Sequence, residues 1–149
     1  MAHSFNHMGL TVADIPTSAR FYGLLGFTPA EPDAVVCDEQ WIKTMSGYPD
    51  ADLKIAWLDL DGTTLELLQY ENPGGGDSTP LETKDAGSAH VAVGLDDVEA
   101  EYARLLAEGV EFRSEPITVP DGIWAGIKAV YATDPDGNTV ELIQMPAEA

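Results

Sequence analysis

Two histidines and two glutamates of this 149-residue chain sit in duplicated surroundings. The segment Asp59 to Gln69 (DLDGTTLELLQ) matches Asp134 to Gln144 (DPDGNTVELIQ) at seven of eleven positions, and the match carries Glu66 onto Glu141 at an offset of 75 residues. His7 and His90 are related by an offset of 83, and Asp14/Asp97 and Gly26/Gly109 follow at the same spacing. Side chains of a strand alternate between faces, so Leu65 and Leu67 lie opposite Thr64, Glu66 and Leu68, and Val140 and Leu142 lie opposite Thr139, Glu141 and Ile143. His7 in the same way opposes Met8, Leu10 and Val12, and His90 opposes Val91 and Val93. If helices cover the leucine side, two imidazoles and two carboxylates project from the other face of the sheet. A carboxylate buried there without a partner costs roughly several kcal/mol, which a divalent cation offsets. Two imidazoles and two carboxylates suit Zn, Ni, Co, Fe or Mn, with positions left for water or substrate. Taken singly, each of the four is an ordinary residue of a solvent-facing strand; duplication at matching positions argues for a shared role.

The elements that position these residues are legible by period. Phe5 to Val12 alternates as a half-buried strand. A helix follows, capped by Asp14 ahead of Ile15-Pro16, with Ile15, Ala19, Tyr22 and Leu25 at helical spacing and Gly26 as its stop. The second copy repeats this plan, with Asp96 or Asp97 as cap, Val98, Tyr102 and Leu105 as the apolar stripe, and Gly109 as stop. Leu53 to Leu60 and Thr64 to Gln69 read as strands joined at Asp61-Gly62, a pair suited to positive φ, and Asp136-Gly137 plays that part in copy two. The eight residues by which copy one is longer fall in a long loop after Ala30. The expected organisation is a single domain of two repeats, residues 1–72 and 84–149, joined by a Gly- and Pro-rich linker over 73–83.

Composition narrows the function classes. With 44% apolar residues the chain can bury a core, and no apolar run approaches the ~20 residues of a membrane span. The start lacks the pattern of a secretion signal, so a cytoplasmic location is expected. Seven Lys and Arg against 26 Asp and Glu give a formal charge of −19, which opposes binding to a phosphate backbone; nucleic acid and membrane partners are not expected. Cys37 stands alone, which excludes an internal disulfide and a Cys-rich zinc site.

The paired modules, opened by HMGLTV and HVAVGL and closed by DGTTLELLQ and DPDGNTVELIQ, resemble the vicinal oxygen chelate superfamily, also called the glyoxalase, bleomycin-resistance and dioxygenase superfamily, over nearly the whole chain. The resemblance implies an α+β fold of two tandem βαβββ modules whose curved mixed sheet forms a cup with helices on its outer face. It implies that His7, Glu66, His90 and Glu141 ligate one divalent metal, the pattern of the lactoylglutathione lyase and methylmalonyl-CoA epimerase branches. It also implies a homodimer.

A metal that holds two substrate oxygens lowers the cost of negative charge on a carbonyl oxygen, so the adjacent C–H can be abstracted. The expected activity is that of a metal-dependent, glyoxalase-like lyase, isomerase or epimerase acting on a small-molecule carbonyl substrate. Glu141 is the first choice of base, Glu66 serves the opposite face, and Asp50, near the place where the epimerase branch carries an extra carboxylate, is a third candidate. Thr11 stands where glutathione-using lyases tend to carry Arg, and the chain has few basic residues to hold glutathione or the phosphates of CoA. Trp41, Trp57 and Trp124 are candidate substrate contacts at or near the cavity mouth. Two alternatives compete. His7, His90 and Glu141 alone would suit an Fe(II) extradiol-type dioxygenase, and a cup without metal would suit a drug-binding protein of the bleomycin-resistance type.

Overall fold

Each repeat begins with the same local device. The Asp14 carboxylate accepts the Thr17 backbone N–H at 2.9 Å and starts α1 (Ile15–Leu24); Asp97 accepts from Ala100 N at 3.0 Å and starts α3 (Val98–Ala107). Both helices stop at a glycine in the left-handed region, Gly26 at φ 95° and Gly109 at φ 86°. The computed structural model describes residues 3–75 and 81–147, and the chain divides into two units, residues 1–78 and 79–149. Residues 76–80 of the expected linker lie outside the described residues.

The first unit comprises β1 (His7–Thr11), α1, β2 (Thr28–Pro29), β3 (Val35–Cys37), α2 (Gln40–Ser46), β4 (Asp52–Leu60) and β5 (Thr63–Asn72). Its sheet runs β1-β5-β4-β2, with β3 also pairing β4. The second unit comprises β6 (His90–Gly94), α3, β7 (Glu111–Phe112), β8 (Ile117–Thr118), a 3-10 turn (Gly122–Trp124), β9 (Lys128–Thr133) and β10 (Thr139–Gln144). Its sheet runs β6-β10-β9-β7, with β8 also pairing β9. In each unit the first strand is parallel to the last and the other pairings are antiparallel, so both sheets are mixed and the fold class is α+β.

The helices lie on the leucine side, as the alternation requires. Leu65, Leu67, Val140 and Leu142 are buried to 1% exposure or less. Gln69 and Gln144, two positions further along the same faces, reach the helix starts: Gln69 Oε1 accepts Ile15 N at 2.9 Å and Gln144 Oε1 accepts Val98 N at 3.1 Å. The first N–H of each helix is thereby tied to the strand that carries Glu66 or Glu141.

Three local expectations need correction. The first strand starts at His7, and Phe5, 77% exposed, is outside it. The two closing hairpins are not alike: Asp61 (φ 49°) and Gly62 (φ 76°) make a two-residue turn, whereas residues 134–138 form a five-residue loop in which only Gly137 has positive φ. That loop is organised by Asp134, whose carboxylate accepts from Asp136 N, Asn138 N and Asn138 Nδ2. The sequence match of Asp59 with Asp134 therefore does not hold in space, because it is Thr133 that pairs across from Thr139 as Asp59 pairs with Thr64. Finally, the long loop of copy one is not without structure, since β3 and α2 lie within it.

Candidate functional site

The register places a histidine and a glutamate side by side in each unit. β1 and β5 pair with His7 across from Thr64 and Gly9 across from Glu66, so His7 and Glu66 are diagonal neighbours on one face. β6 and β10 repeat this register, with His90 across from Thr139 and Ala92 across from Glu141. His7 Nε2 lies 3.3 Å from Glu66 Oε2, and His90 Nε2 lies 3.2 Å from Glu141 Oε2. The carboxylates are the more enclosed partners, 16% and 19% exposed against 39% and 43% for the imidazoles.

The pairs differ in their other neighbours. Trp57 on β4 pairs across from Glu66 and donates its indole N–H to Glu66 Oε1 at 3.1 Å. Both oxygens of Glu66 are thus engaged, and His7 is itself oriented by Nδ1 against Asn6 Oδ1 at 2.6 Å. Tyr131 on β9 pairs across from Glu141, and its ring stands 5.8 Å from the His90 imidazole, centroid to centroid. For Glu141 the polar side-chain partner is His90.

The surroundings differ more. In the first unit the face bearing Glu66 is filled by the chain itself: Cys37, Ile42 and Ala51 pack on Leu53 and Ile55, and Trp57, Leu68 and Tyr70 close on that cluster. Burial pushes the Cys37 thiol up from its ordinary pKa, which suits a packing role over a nucleophilic one. In the second unit the corresponding face opens into a cavity of about 520 Å³, bordered by Glu141 and Tyr131 and walled by Ile117, Trp124, Ile127, Ile143 and Met145.

The remaining expected site residues fall as follows. Trp124 borders the cavity that Glu141 shares. Trp57 is aimed at Glu66. Trp41 is half-exposed on α2, beside the buried Ile42. Thr11 is exposed, across from Leu68, on the face of His7. Asp50 is held by Asn72, whose Nδ2 donates to its backbone oxygen at 2.8 Å and its carboxylate at 3.2 Å. Asn72 lies six residues beyond Glu66 on β5, or about 20 Å along the strand, so the structure does not bring Asp50 to the His7–Glu66 pair.

Two sets of residues were not singled out by sequence. Tyr131 is set across from Glu141 only by the β9–β10 register and Ile127 is brought in only by the cavity lining, whereas alternation from Glu141 already points to Ile143. Gln69 and Gln144 were identities within the repeat, and that duplication was the available signal.

Donors on adjacent positions of a first-row divalent metal, each about 2.0 to 2.2 Å from the ion, stand about 3 to 3.4 Å apart. The observed His–Glu separations of 3.3 and 3.2 Å fit that spacing, and the nitrogen-plus-oxygen donor set suits such ions. Among the described residues no group of three or more His, Cys, Asp or Glu side chains is gathered closely enough to hold a metal ion; each unit presents a pair.

Comparison with known proteins agrees with this architecture. The model of the Glyoxalase/Bleomycin resistance protein/Dioxygenase superfamily matches residues 4–142, and the chain belongs to that superfamily. It is 32% identical over 152 residues to a 2-epi-5-epi-valiolone epimerase from Actinomyces sp, covering 99% of this chain and 82% of that one. Among solved structures, a glyoxalase family protein from Bacillus cereus aligns with a TM-score of 0.86 at 15% identity, covering 99% of this chain and 97% of that one. A genomically encoded fosfomycin resistance protein from Listeria monocytogenes aligns at 0.65 and 17% identity, with coverage of 99% and 97%. At these identities the solved structures speak to the fold. No helix among the described residues is long and apolar enough to cross a membrane.

Proposed function

We propose that this protein is a metal-dependent isomerase or epimerase that removes and returns a proton next to a carbonyl of a small-molecule substrate, with His7, Glu66, His90 and Glu141 as the ligands of one divalent ion. The observation that carries this reading is the duplicated pair: the same two donor types, in the same strand register, at 3.3 and 3.2 Å in the two units. The 32% identical relative named as an epimerase supports the reaction class. When bound, the metal supplies Lewis acidity to the carbonyl oxygen and makes the neighbouring C–H acidic.

The chain's own residues divide the remaining work. Glu66, gripped by the Trp57 indole and His7, keeps a fixed orientation. Glu141 faces the cavity with His90 as its polar side-chain partner and takes the proton; return by Glu141 to the neighbouring carbon gives the isomer, and protonation of the opposite face by Glu66 gives the epimer. Dimerisation belongs to this reading through the family resemblance alone.

The cavity lends weight to one competing reading, a metal-free protein that sequesters an apolar guest. Incubation of metal-reconstituted protein with an α-hydroxyketone in D₂O, followed by proton NMR, separates the two. The proposal expects loss of the substrate's α-proton signal with the wild type and at least a 100-fold slower loss with Glu141→Gln, the usual scale for removing a general base (~10² to 10⁴). Exchange at the same rate in wild type and variant overturns the role of Glu141; no exchange over a panel of α-hydroxyketones favours the sequestering protein.

A further inference from the structure

The repeat is symmetric in its ligand pairs and asymmetric in the space beside them. In the first unit the longer loop carries β3 and α2, and these deliver Cys37 and Ile42 onto the sheet face next to Glu66, where with Ala51 they are 6% exposed or less. Among the described residues the second unit has no counterpart of α2. The 3-10 turn Gly122–Trp124 stands in that place, and Ile117, Trp124 and Met145 remain 52 to 61% exposed around an open hollow.

That hollow has a directed chemistry. On the face of β10 Glu141 is followed by Ile143, and Met145 just past the strand's end also lines the cavity, so polarity falls away from the carboxylate. Among the described residues Glu141 is the one charged side chain bordering the cavity. Neighbouring cations are committed elsewhere: Lys128 pairs with Glu99 at 3.0 Å, and Arg113 donates to Thr139 Oγ1 at 2.8 Å and Thr83 Oγ1 at 3.2 Å. Thr139 lies on the opposite side of Glu141 from Ile143, which puts the Arg113 guanidinium at the polar end of the face. A hollow of about 520 Å³ exceeds a single ring and falls within the range of small-molecule sites.

Resting on the proposed function, we infer that the substrate is a carbonyl compound with an apolar substituent of aromatic size, and that this substituent seats between Trp124, Ile117 and Ile143 with the reacting carbon toward Glu141. A phosphate or carboxylate on that substituent would meet apolar walls and the Glu141 charge, so the class excludes substrates whose bulk is anionic. A short, fully hydroxylated substituent would lose its water without gaining partners there.

The test compares 2-hydroxyacetophenone with hydroxyacetone, which share the α-hydroxyketone and differ by a phenyl against a methyl group. Binding is followed by methyl NMR on the full chain, first metal-free and then reconstituted with Zn. The inference expects the phenyl compound to bind at least ten-fold more tightly in the metal-free protein. Its ring should shift the Ile117, Ile127 and Ile143 δ-methyls and the Met145 ε-methyl, and the preference should fall at least five-fold in Trp124→Ala. Trp124 is 60% exposed, so that variant keeps its fold; Ile117→Ser is a second variant of the same wall. Equal affinity for the two compounds, shifts at Ile42 or Ile55 of the first unit instead, or methyl shifts that follow protein concentration without ligand each overturn it. Because ring binding is read without metal, its failure is distinct from failure of metal binding, which would strike the proposed reaction and leave this seat intact.

Discussion

Replacing Ile42 by Ala tests whether α2 serves to fill the first unit's sheet face. Ile42 is 1% exposed, the only buried residue of a seven-residue helix, and it packs in one cluster with Leu53 and Ile55. Truncating a buried Ile to Ala costs about 2 to 5 kcal/mol, the spread reflecting how far the site collapses. A helix this short, laid on the surface and flanked by the exposed Trp41 and half-buried Lys43, can settle inward, so the lower part of the range applies, about 2 to 3 kcal/mol. Urea unfolding followed by tryptophan fluorescence reads the loss; with a slope of about 1 to 3 kcal/mol per molar, the midpoint moves down by about 1 to 2 M with the slope unchanged. A loss below about 0.5 kcal/mol would show that α2 is not packed as described, and the contrast between a filled and an open unit would fall with it.

Other outcomes follow from the same geometry. Trp57→Phe keeps a ring and removes the N–H that holds Glu66 Oε1, so affinity for a divalent ion should drop about 10- to 100-fold, read by competition with a chelating dye, and an unchanged affinity would refute the tether. Gln144→Leu leaves the Val98 N–H without its acceptor and should lower stability by about 1 to 3 kcal/mol in thermal unfolding, whereas a neutral result would show that the bond to α3 is unimportant. The Asp14 carboxyl is held below its usual range chiefly by the hydrogen bond from the Thr17 side chain, then by that from the Thr17 backbone. Its folded value is the lower one, so its contribution is present above the ordinary value of 3.8 and is lost as the pH falls through the folded value. Asp14→Asn should accordingly flatten the acid side of the stability–pH curve below about pH 4, and an unaltered slope would contradict the cap.

Much of this fold was readable because the chain copies itself. Two matched Asp–helix–Gly segments and two matched Glu-bearing strands define paired modules, and period-two alternation alone places Glu66 and Glu141 opposite the leucine rows. The register that sets His7 beside Glu66 was not readable, because parallel pairing of β1 with β5 joins residues more than fifty positions apart and no local pattern encodes it. The contents of the long loop were missed for another reason. Val35-Val36-Cys37 and the seven residues of α2 are too short to show a period, and they are held by packing of Cys37 and Ile42 on Leu53 and Ile55. The hairpins misled because DLDG and DPDGN match as text while one extra residue changes the turn and shifts the pairing of everything before it. Trp57 was expected near the substrate, and its bond to Glu66 was not legible because it depends on the β4–β5 register.

The measurement that bears most directly on the whole account is the metal content of the intact chain, purified without chelator, reconstituted with Zn, Ni, Co, Fe or Mn and freed of excess ion, set beside Glu141→Gln and Glu66→Gln. The account predicts a stoichiometric divalent ion in the wild type and a marked loss of affinity in both variants, because each removes one carboxylate from a His–Glu pair. A wild type that retains no ion from any of the five solutions, or variants that retain as much as the wild type, would contradict it.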